Sequence, residues 1–201
     1  MMRPFHWMVT LAVSAWMSFG IGARAGEEPT AFQLIEAGNE HVGVDARNRV
    51  VQIRSEKSVG GLTPNIWYVV YYDRDATFDA TEVKFGAGKK LEVKRPMRML
   101  EKMGGGDAVL DRARLKIDSN QAIEIALKEP LLERLTIKAT ELKLERAGSK
   151  WGGDEKLPIW RVELWAAKLN NPNRQVNIGE VMISAEDGKV LETDLKIKRV
   201  D

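Results

Sequence analysis

The sequence of 201 residues contains no cysteine and only two histidines. The absence of cysteine excludes disulfide bonds, thiolate metal ligands, cysteine nucleophiles and the lipidated cysteine of a bacterial lipoprotein. His6 lies in an N-terminal segment that we expect to be removed, which leaves His41 as the single histidine of the mature chain. One imidazole is too few for most transition-metal sites, and no nucleophile with an orienting partner accompanies it. We therefore expect no metal, no cofactor and no catalytic residue.

The chain also lacks a hydrophobic run long enough to cross a membrane. The apolar stretch 8–21 falls short of the roughly 20 residues that a spanning helix requires. Arg3 precedes this stretch and Ala23-Arg24-Ala25 follows it, which is the pattern of a secretory signal peptide and its cleavage site. We expect cleavage after Ala25 and a mature protein that is periplasmic or secreted, with no stable membrane span.

An excess of one charge sign is missing as well. Without residues 1–25, which include Arg3 and Arg24, the chain carries 29 basic and 29 acidic side chains. Basic runs such as Lys94-Arg95 stand beside acidic residues and are typical of a solvated face. The balance argues against binding to nucleic acid or to an anionic membrane surface.

An internal repeat is the clearest positive feature of the sequence. Asn-Ile-Trp-Tyr-Val-Val at 65–70 matches Pro-Ile-Trp-Arg-Val-Glu at 158–163, with an offset of 93 from Trp67 to Trp160. Three further matches keep the order: Thr30 with Ser119 at an offset of 89, Val51-x-Ile53 with Leu142-x-Leu144 at 91, and Glu82-Val83 with Glu180-Val181 at 98. The growing offset is expected for a second copy with longer loops, and a chance resemblance between amphipathic strands is the alternative.

Each copy begins with helix signals and continues with strand signals. Thr30 and Gln33 form a capping box, and Asp118-Ser119 starts the counterpart helix, which Pro130 ends. Alternating segments predict strands at 49–54, 66–72, 80–85, 90–94, 135–146, 159–166, 176–184 and 189–195. The predicted fold class is α+β: two tandem units, each with one helix packed on an antiparallel sheet of about four strands.

The domain boundaries follow from the repeat and from one linker signal. We expect a signal peptide at 1–25, a first unit at 26–103 and a second unit at 119–201. Between the units, 104–118 is predicted to be a glycine-rich linker, with Gly104-Gly105-Gly106 as its signal, followed by a short connecting segment.

Three segments of the second copy share a family pattern: the helix start Ser119-Asn120-Gln121-Ala122-Ile123, the strand Ile159-Trp160-Arg161-Val162 and the ending Ile183-Ser184-Ala185-Glu186-Asp187-Gly188-Lys189-Val190. Together they resemble a PepSY domain, whose terminal hairpin reads Asp-Ala-x-Thr-Gly-Lys-Val. This chain has Ser184 and Asp187 where the family usually shows Asp and Thr, and its first copy is a weaker match. The resemblance implies small cystatin-like modules of the cell envelope that bind or inhibit peptidases and have no catalytic residues.

The aromatic strands supply the candidate binding residues. Alternation places Tyr68 and Tyr72 on the strand face opposite Trp67, and Trp165 on the face opposite Trp160. Because a sheet face left to water normally carries Thr, Lys and Glu, these aromatic side chains need a covering surface. Two interpretations stay open: they bury against the neighbouring unit or a crossing segment, or they line a surface that binds a partner.

These observations predict an exported, non-catalytic protein of the cell envelope that binds a protein or peptide, such as a peptidase inhibitor or regulator. Tyr68, Tyr72 and Trp165 are its predicted contact residues. The alternative is a structural or accessory envelope protein that serves a membrane or redox complex. The two functions differ in the partner, which is a peptidase in the first case and a membrane complex in the second.

The signal peptide yields the first testable prediction. The mature protein exported by a cell that recognises the signal should begin at Gly26, because the small residues Ala23 and Ala25 fit the cleavage site of a signal peptidase. Intact-mass measurement of the exported protein checks this. A mature form that still contains Trp16 contradicts it.

Overall fold

The computed structural model describes residues 28–95, 108–148 and 154–201. The predicted signal peptide, its cleavage site at Ala25 and the linker glycines Gly104-Gly105-Gly106 lie outside the described residues. The described residues form two α-helices, a single β-sheet and several short 3-10 turns.

The two helices are nine residues long each: α1 spans Ala31–Asn39 and α2 spans Ser119–Leu127. The predicted capping box of Thr30 and Gln33 is confirmed. In α2 the capping residue is Asp118, whose carboxylate accepts backbone N–H groups of the first turn while Gln121 bonds back to the Asp118 backbone. The expectation that Ser119 matches Thr30 is therefore wrong by one residue, because Ser119 is already inside the helix.

Eight strands account for all of the predicted strand segments. Their bounds are β1 Val50–Ser55, β2 Ile66–Tyr72, β3 Ala80–Gly86, β4 Lys89–Lys94, β5 Ile137–Arg146, β6 Pro158–Ala167, β7 Gln175–Ser184 and β8 Val190–Leu195. Neighbouring strands are antiparallel throughout, in the order β4-β3-β2-β1-β5-β6-β7-β8. The α+β class is confirmed, but the strands form one continuous sheet where we expected a separate sheet in each unit.

The sheet is continuous because β1 pairs with β5 at a short central seam. The seam consists of two residue pairs, Ile53 with Leu144 and Arg54 with Lys143. Beyond these pairs, side-chain hydroxyls continue the bonding: the Ser55 hydroxyl accepts the Leu142 N–H at 2.9 Å, and the Ser58 hydroxyl accepts the Thr140 N–H at 2.9 Å. Ser55, Ser58 and Thr140 are all buried. The buried backbone groups of the seam are thus satisfied where the strands diverge.

Both helices pack on the same side of the sheet and share one hydrophobic core. Phe32 of α1 stacks on Trp160 of β6, with ring centroids 6.3 Å apart. The Tyr71 hydroxyl donates to the Ile35 carbonyl at 2.9 Å, and burial raises the pKa of Tyr71. The Ser119 hydroxyl accepts the Ala31 N–H at 3.0 Å, so the two helix N-termini touch. The two halves of the sheet are therefore held together on the helix side as well as at the seam.

The connecting segment 108–118 is bonded to both halves. The Leu110 N–H donates to the Val50 carbonyl at 2.8 Å, and Arg112, in the 3-10 turn Arg112–Arg114, pairs with Glu36 of α1. Arg114 pairs with Glu186 in the β7–β8 turn at 2.8 Å. This part of the predicted connector is held in place by its contacts.

The core yields a stability prediction. Trp67 and Trp160 are almost fully buried, and each indole N–H donates to a backbone carbonyl. Replacing either with alanine should lower the free energy of unfolding by about 3–5 kcal/mol, through lost burial and the cavity left behind. Denaturant unfolding of the mature protein measures both. Trp165→Ala is the matched control, because Trp165 is only half-buried; the prediction fails if either core variant loses no more stability than this control.

Candidate functional site

The three predicted contact residues lie on the open face, by which we mean the side of the sheet opposite the two helices. Trp67 and Tyr71 of β2 and Leu164 of β6 belong to the core on the helix side. Their neighbours Tyr68, Tyr72 and Trp165 point the other way and are half-buried. Strand alternation therefore assigns these three aromatic side chains to the correct face.

A basic side chain lies over each of the three aromatic rings. Measured from the charged group to the ring centroid, the distances are 4.0 Å for Arg54 and 4.9 Å for Lys84 over Tyr68, 4.5 Å for Arg49 and 6.0 Å for Arg74 over Tyr72, and 5.1 Å for Lys57 over Trp165. A cation within about 6 Å of an aromatic centroid is attracted by the ring quadrupole. The sequence analysis predicted that another surface covers these aromatic side chains. Arginine and lysine side chains of the same chain provide part of that cover.

The three aromatic residues do not form one continuous patch. Tyr68 and Tyr72 are four residues apart on β2, about 13 Å along the strand, and three strand spacings, about 14 Å, separate β2 from β6 with Trp165. Tyr72 packs against the small buried cluster of Val51, Val70 and Ala80, and Ala108 and Val109 of the connecting segment pack against the same cluster. Burial by a crossing segment, one of the two interpretations from the sequence, therefore applies in part to Tyr72, whereas Tyr68 and Trp165 have arginine and lysine side chains over their rings.

Hydrogen bonds tie Tyr68 into a charged group of its own. Its hydroxyl donates to the Glu56 carboxylate at 2.5 Å, and Lys84 pairs with the same carboxylate oxygen at 3.1 Å. These two bonds hold the pKa of Glu56 below its ordinary value. Tyr68 is thus oriented by contacts on its ring and on its hydroxyl.

A row of cations crosses the centre of the open face, and sequence reasoning missed it. Arg54, Lys143 and Arg161 are direct cross-strand neighbours on β1, β5 and β6. Like charges in such positions repel each other. Each cation is neutralised by an acid: Arg54 by Glu82, Lys143 by Glu145 at 2.7 Å and Arg161 by Glu180 through two hydrogen bonds of 3.0 and 2.7 Å. The alternating charges of 141–145 were the signal in the sequence that could have revealed this row.

Glu141 and Glu163 face each other beside this row, across β5 and β6. The Glu163 carboxylate accepts a hydrogen bond from the Asn177 side chain at 2.9 Å. Within the described part of the chain, Glu141 has no hydrogen-bond or ion-pair partner. Burial, followed by the negative charge of Glu163, raises the pKa of Glu141. The two carboxylates and the three cations line a depression of about 310 Å³.

A second concavity, of about 570 Å³, lies between the helix N-termini and the β1–β2 loop. Its walls include Thr30, Ser119 and the glycines at 60 and 61. At the start of α1 the N–H groups that could bind an anion are already bonded, since Ala31 donates to the Ser119 hydroxyl and Phe32 to the Asp118 carboxylate at 3.2 Å. The start of α1 therefore does not offer this concavity free donors of the kind that bind phosphate.

In the acidic segment 73–82, hydrogen bonds to a buried carboxylate hold the β2–β3 connection together. Asp73 is buried, and its carboxylate accepts the Thr81 hydroxyl at 2.6 Å and the Asp75 N–H at 3.1 Å. Asp73 is therefore not solvated, because these bonds take the place of water. His41, the only histidine among the described residues, is exposed just after α1. Among the described residues, no group of three or more His, Cys, Asp or Glu side chains is arranged to hold a metal.

The facing carboxylates yield a prediction on pH dependence. A carboxyl whose pKa is raised by folding binds its proton more tightly in the folded state, so Glu141 makes the protein less stable as pH rises from about 4 through its folded pKa. Glu141→Gln should therefore increase the free energy of unfolding at pH 7 by about 0.5 kcal/mol, the order of a cross-strand pair, and remove that part of the pH dependence.

Denaturant unfolding from about pH 3.5 to about pH 8 measures this effect, because that range covers the titration of carboxyl groups and extends past neutral pH. Glu180→Gln is the matched control, because Glu180 accepts two bonds from Arg161 and its neutralisation should destabilise the protein. A Glu141→Gln variant that is less stable than the parent protein at pH 7 contradicts the account of the site.

Comparison of the chain with protein-family models, with curated proteins and with solved structures gives no match. None of the helices in the described ranges is both long enough and apolar enough to span a bilayer. The function must therefore be argued from the sequence and from the geometry of the open face.

Proposed function

We propose that this protein is an exported, non-catalytic protein of the cell envelope that binds a protein or peptide partner through the open face. We further propose that it consists of two PepSY-like units whose strands join into the single sheet. Export rests on the signal-peptide pattern of residues 1–25, and the PepSY assignment rests on the resemblance of 119–191. The strand registers and the contacts of the open face support the rest.

Matching registers support a duplication. Four pairs carry the comparison: Trp67 with Phe85 and Val69 with Val83 between β2 and β3, then Trp160 with Ile183 and Val162 with Val181 between β6 and β7. When Trp67 is aligned with Trp160 and Val69 with Val162, their partners in the next strand also align: Phe85 with Ile183 and Val83 with Val181. Because β1 pairs Ile53 with Val69 and β5 pairs Leu142 with Val162, Ile53 corresponds to Leu142. The sequence match of Ile53 with Leu144 was therefore off by two residues.

An irregularity shared by the two terminal hairpins is stronger support, because chance similarity of amphipathic strands does not produce it. The register of β3 with β4 shifts between Lys84 and Phe85, and that of β7 with β8 shifts between Met182 and Ile183. These positions correspond in the alignment of Trp67 with Trp160. The residue left without a direct partner is a leucine in both hairpins, Leu91 and Leu191. A β-bulge is a specific local feature that related copies tend to keep.

The observation that carries partner binding is the set of half-buried aromatic rings on the face that the helices leave open. Tyr, Trp and Arg are the residues that contribute most binding energy at protein interfaces. Here Arg54 lies against Tyr68, and Lys57 against Trp165. A partner that displaces these long side chains, or packs onto them, gains aromatic surface that is already oriented by the sheet.

The test is affinity capture from an envelope extract with the mature protein as bait. Tyr68→Ala and Trp165→Ala should each reduce capture of the partner by about ten-fold or more, since an interface hot spot contributes about 1–2 kcal/mol or more. Both variants should stay folded, because neither side chain belongs to the core cluster. Capture is quantified by mass spectrometry, and folding by thermal unfolding of each variant.

Phe78→Ala is the matched control, because Phe78 is an exposed aromatic residue in the β2–β3 connection. It should leave capture unchanged. A single peptidase among the captured proteins favours inhibition, and a membrane complex favours the accessory role. If the two open-face variants keep their stability and every interaction, the open face is not the binding surface and the proposal is wrong.

A further inference from the structure

Strand β4 forms one edge of the sheet, and it is fully exposed along its length. All six residues of Lys89–Lys94 are exposed, as is Arg95 after them. On its outer side no strand pairs with β4 in the part of the chain that the structure describes. An edge strand of this kind presents a row of free N–H and C=O groups to which an extended chain can add.

The opposite edge of the sheet differs from β4 in exposure and in charge. Four of the six residues of β8 are half-buried. After β8 the chain turns into the 3-10 segment Ile197–Val200, where Val200 is buried and its carbonyl accepts the Leu169 N–H at 2.8 Å. Strand β8 carries the two acids Glu192 and Asp194 and no basic residue, whereas β4 carries three lysines and one glutamate. The β4 edge is therefore the more accessible of the two.

The charge of the β4 edge selects a particular kind of added strand. Lys94 is paired with Glu92 at 2.7 Å, and Lys89, Lys90 and Arg95 have no ion-pair partner among the described residues. Lysines on an edge strand discourage pairing with another basic edge, such as the β4 of a second copy. The same cations attract a strand with carboxylates.

The apolar positions of β4 refine the fit. Val93 pairs with Val83 and therefore points to the helix side, together with Lys90, which pairs with Phe85. Val93 is 42% exposed, and Leu91 is 55% exposed. A strand added beside β4 would place an apolar residue next to Val93 and an acid next to Lys90. On the open side it would place a second acid next to Lys94.

We propose that the β4 edge binds an extended acidic segment of a partner polypeptide by β-strand addition. Backbone hydrogen bonds hold the segment, and Lys90, Lys94 and Arg95 select carboxylates over cationic side chains. This interaction goes beyond the proposed function, because it uses none of the open-face aromatic residues.

The probe is a fluorescein-labelled peptide, Thr-Glu-Val-Glu-Glu-Glu-Val-Thr, in which one strand face carries both valines and an acid and the other face carries acids; it is titrated with the mature protein in fluorescence anisotropy. Two comparison peptides accompany it: one with Lys in place of every Glu, and one N-methylated at alternate backbone nitrogens. The acidic peptide should bind at least about ten-fold more tightly than either, because one lacks the charge match and the other cannot pair along the edge. Amide hydrogen exchange should slow at 89–95 when the acidic peptide binds.

Lys90→Glu combined with Lys94→Glu should weaken binding of the acidic peptide by about ten-fold or more. The matched control is Lys189→Glu with Lys196→Glu at the β8 edge, where Lys196 pairs with Asp194 much as Lys94 pairs with Glu92. This control should bind the acidic peptide like the parent protein. Since these lysines are exposed, the charge reversals should leave the fold intact.

The proposal is overturned by any one of these results: equal binding of the acidic and basic peptides, parental binding by the Lys90/Lys94 variant, or unchanged exchange at 89–95. Self-association that depends on β4 and blocks the peptide would instead identify a second copy as the occupant, and would also overturn it. Trp165→Ala should bind the peptide normally, and the Lys90/Lys94 variant should capture open-face partners normally. Failure of strand addition is thus distinguishable from failure of the proposed function.

Discussion

The pairing of β1 with β5 is the constraint on which the rest of the structure depends, because it turns two groups of four strands into one sheet. Only two residue pairs form it directly. Where the strands diverge, the hydroxyls of Ser55, Ser58 and Thr140 bond to the buried backbone groups that no strand pairs. A buried backbone group left without a partner costs about 1–3 kcal/mol. Small hydroxyl side chains therefore allow the seam to open into a loop without that cost.

The seam also determines what the helices can do. With both halves in one sheet, α1 and α2 start next to each other, and the Asp118 carboxylate accepts N–H groups from both helix starts. Phe32 of α1 then stacks on Trp160 in the other half of the sheet. Because the helices share one core on one side, they leave the opposite side without a helix, and long charged side chains occupy much of it beside a small apolar cluster around Val70. The open face is thus a direct consequence of the central seam.

Local patterns predicted the elements well, and long-range pairing explains what they missed. Strand alternation located all eight strands and assigned Tyr68, Tyr72 and Trp165 to the open face, since alternation needs only neighbouring residues. The joining of the sheets depends on Ile53 meeting Leu144, and no local signal reports that contact. The pairing of Glu141 with Glu163 has the same origin, because it depends on the register of β5 with β6. At α2, two adjacent residues with capping ability, Asp118 and Ser119, left the local signal ambiguous by one position.

The open face and the β4 edge place different energetic demands on a partner. A ligand on the open face must displace or accommodate cations such as Arg54 and Lys57, each of which contributes about 0.5–1 kcal/mol in its contact with an exposed ring. Only the binding energy in excess of that loss appears as affinity. At the β4 edge the backbone groups exchange bonds with water for bonds with a peptide, and the net gain per bond is also only about 0.5–1.5 kcal/mol. Selectivity on the face should therefore come from shape around Tyr68 and Trp165, whereas selectivity at the edge should come from charge and weaken with salt.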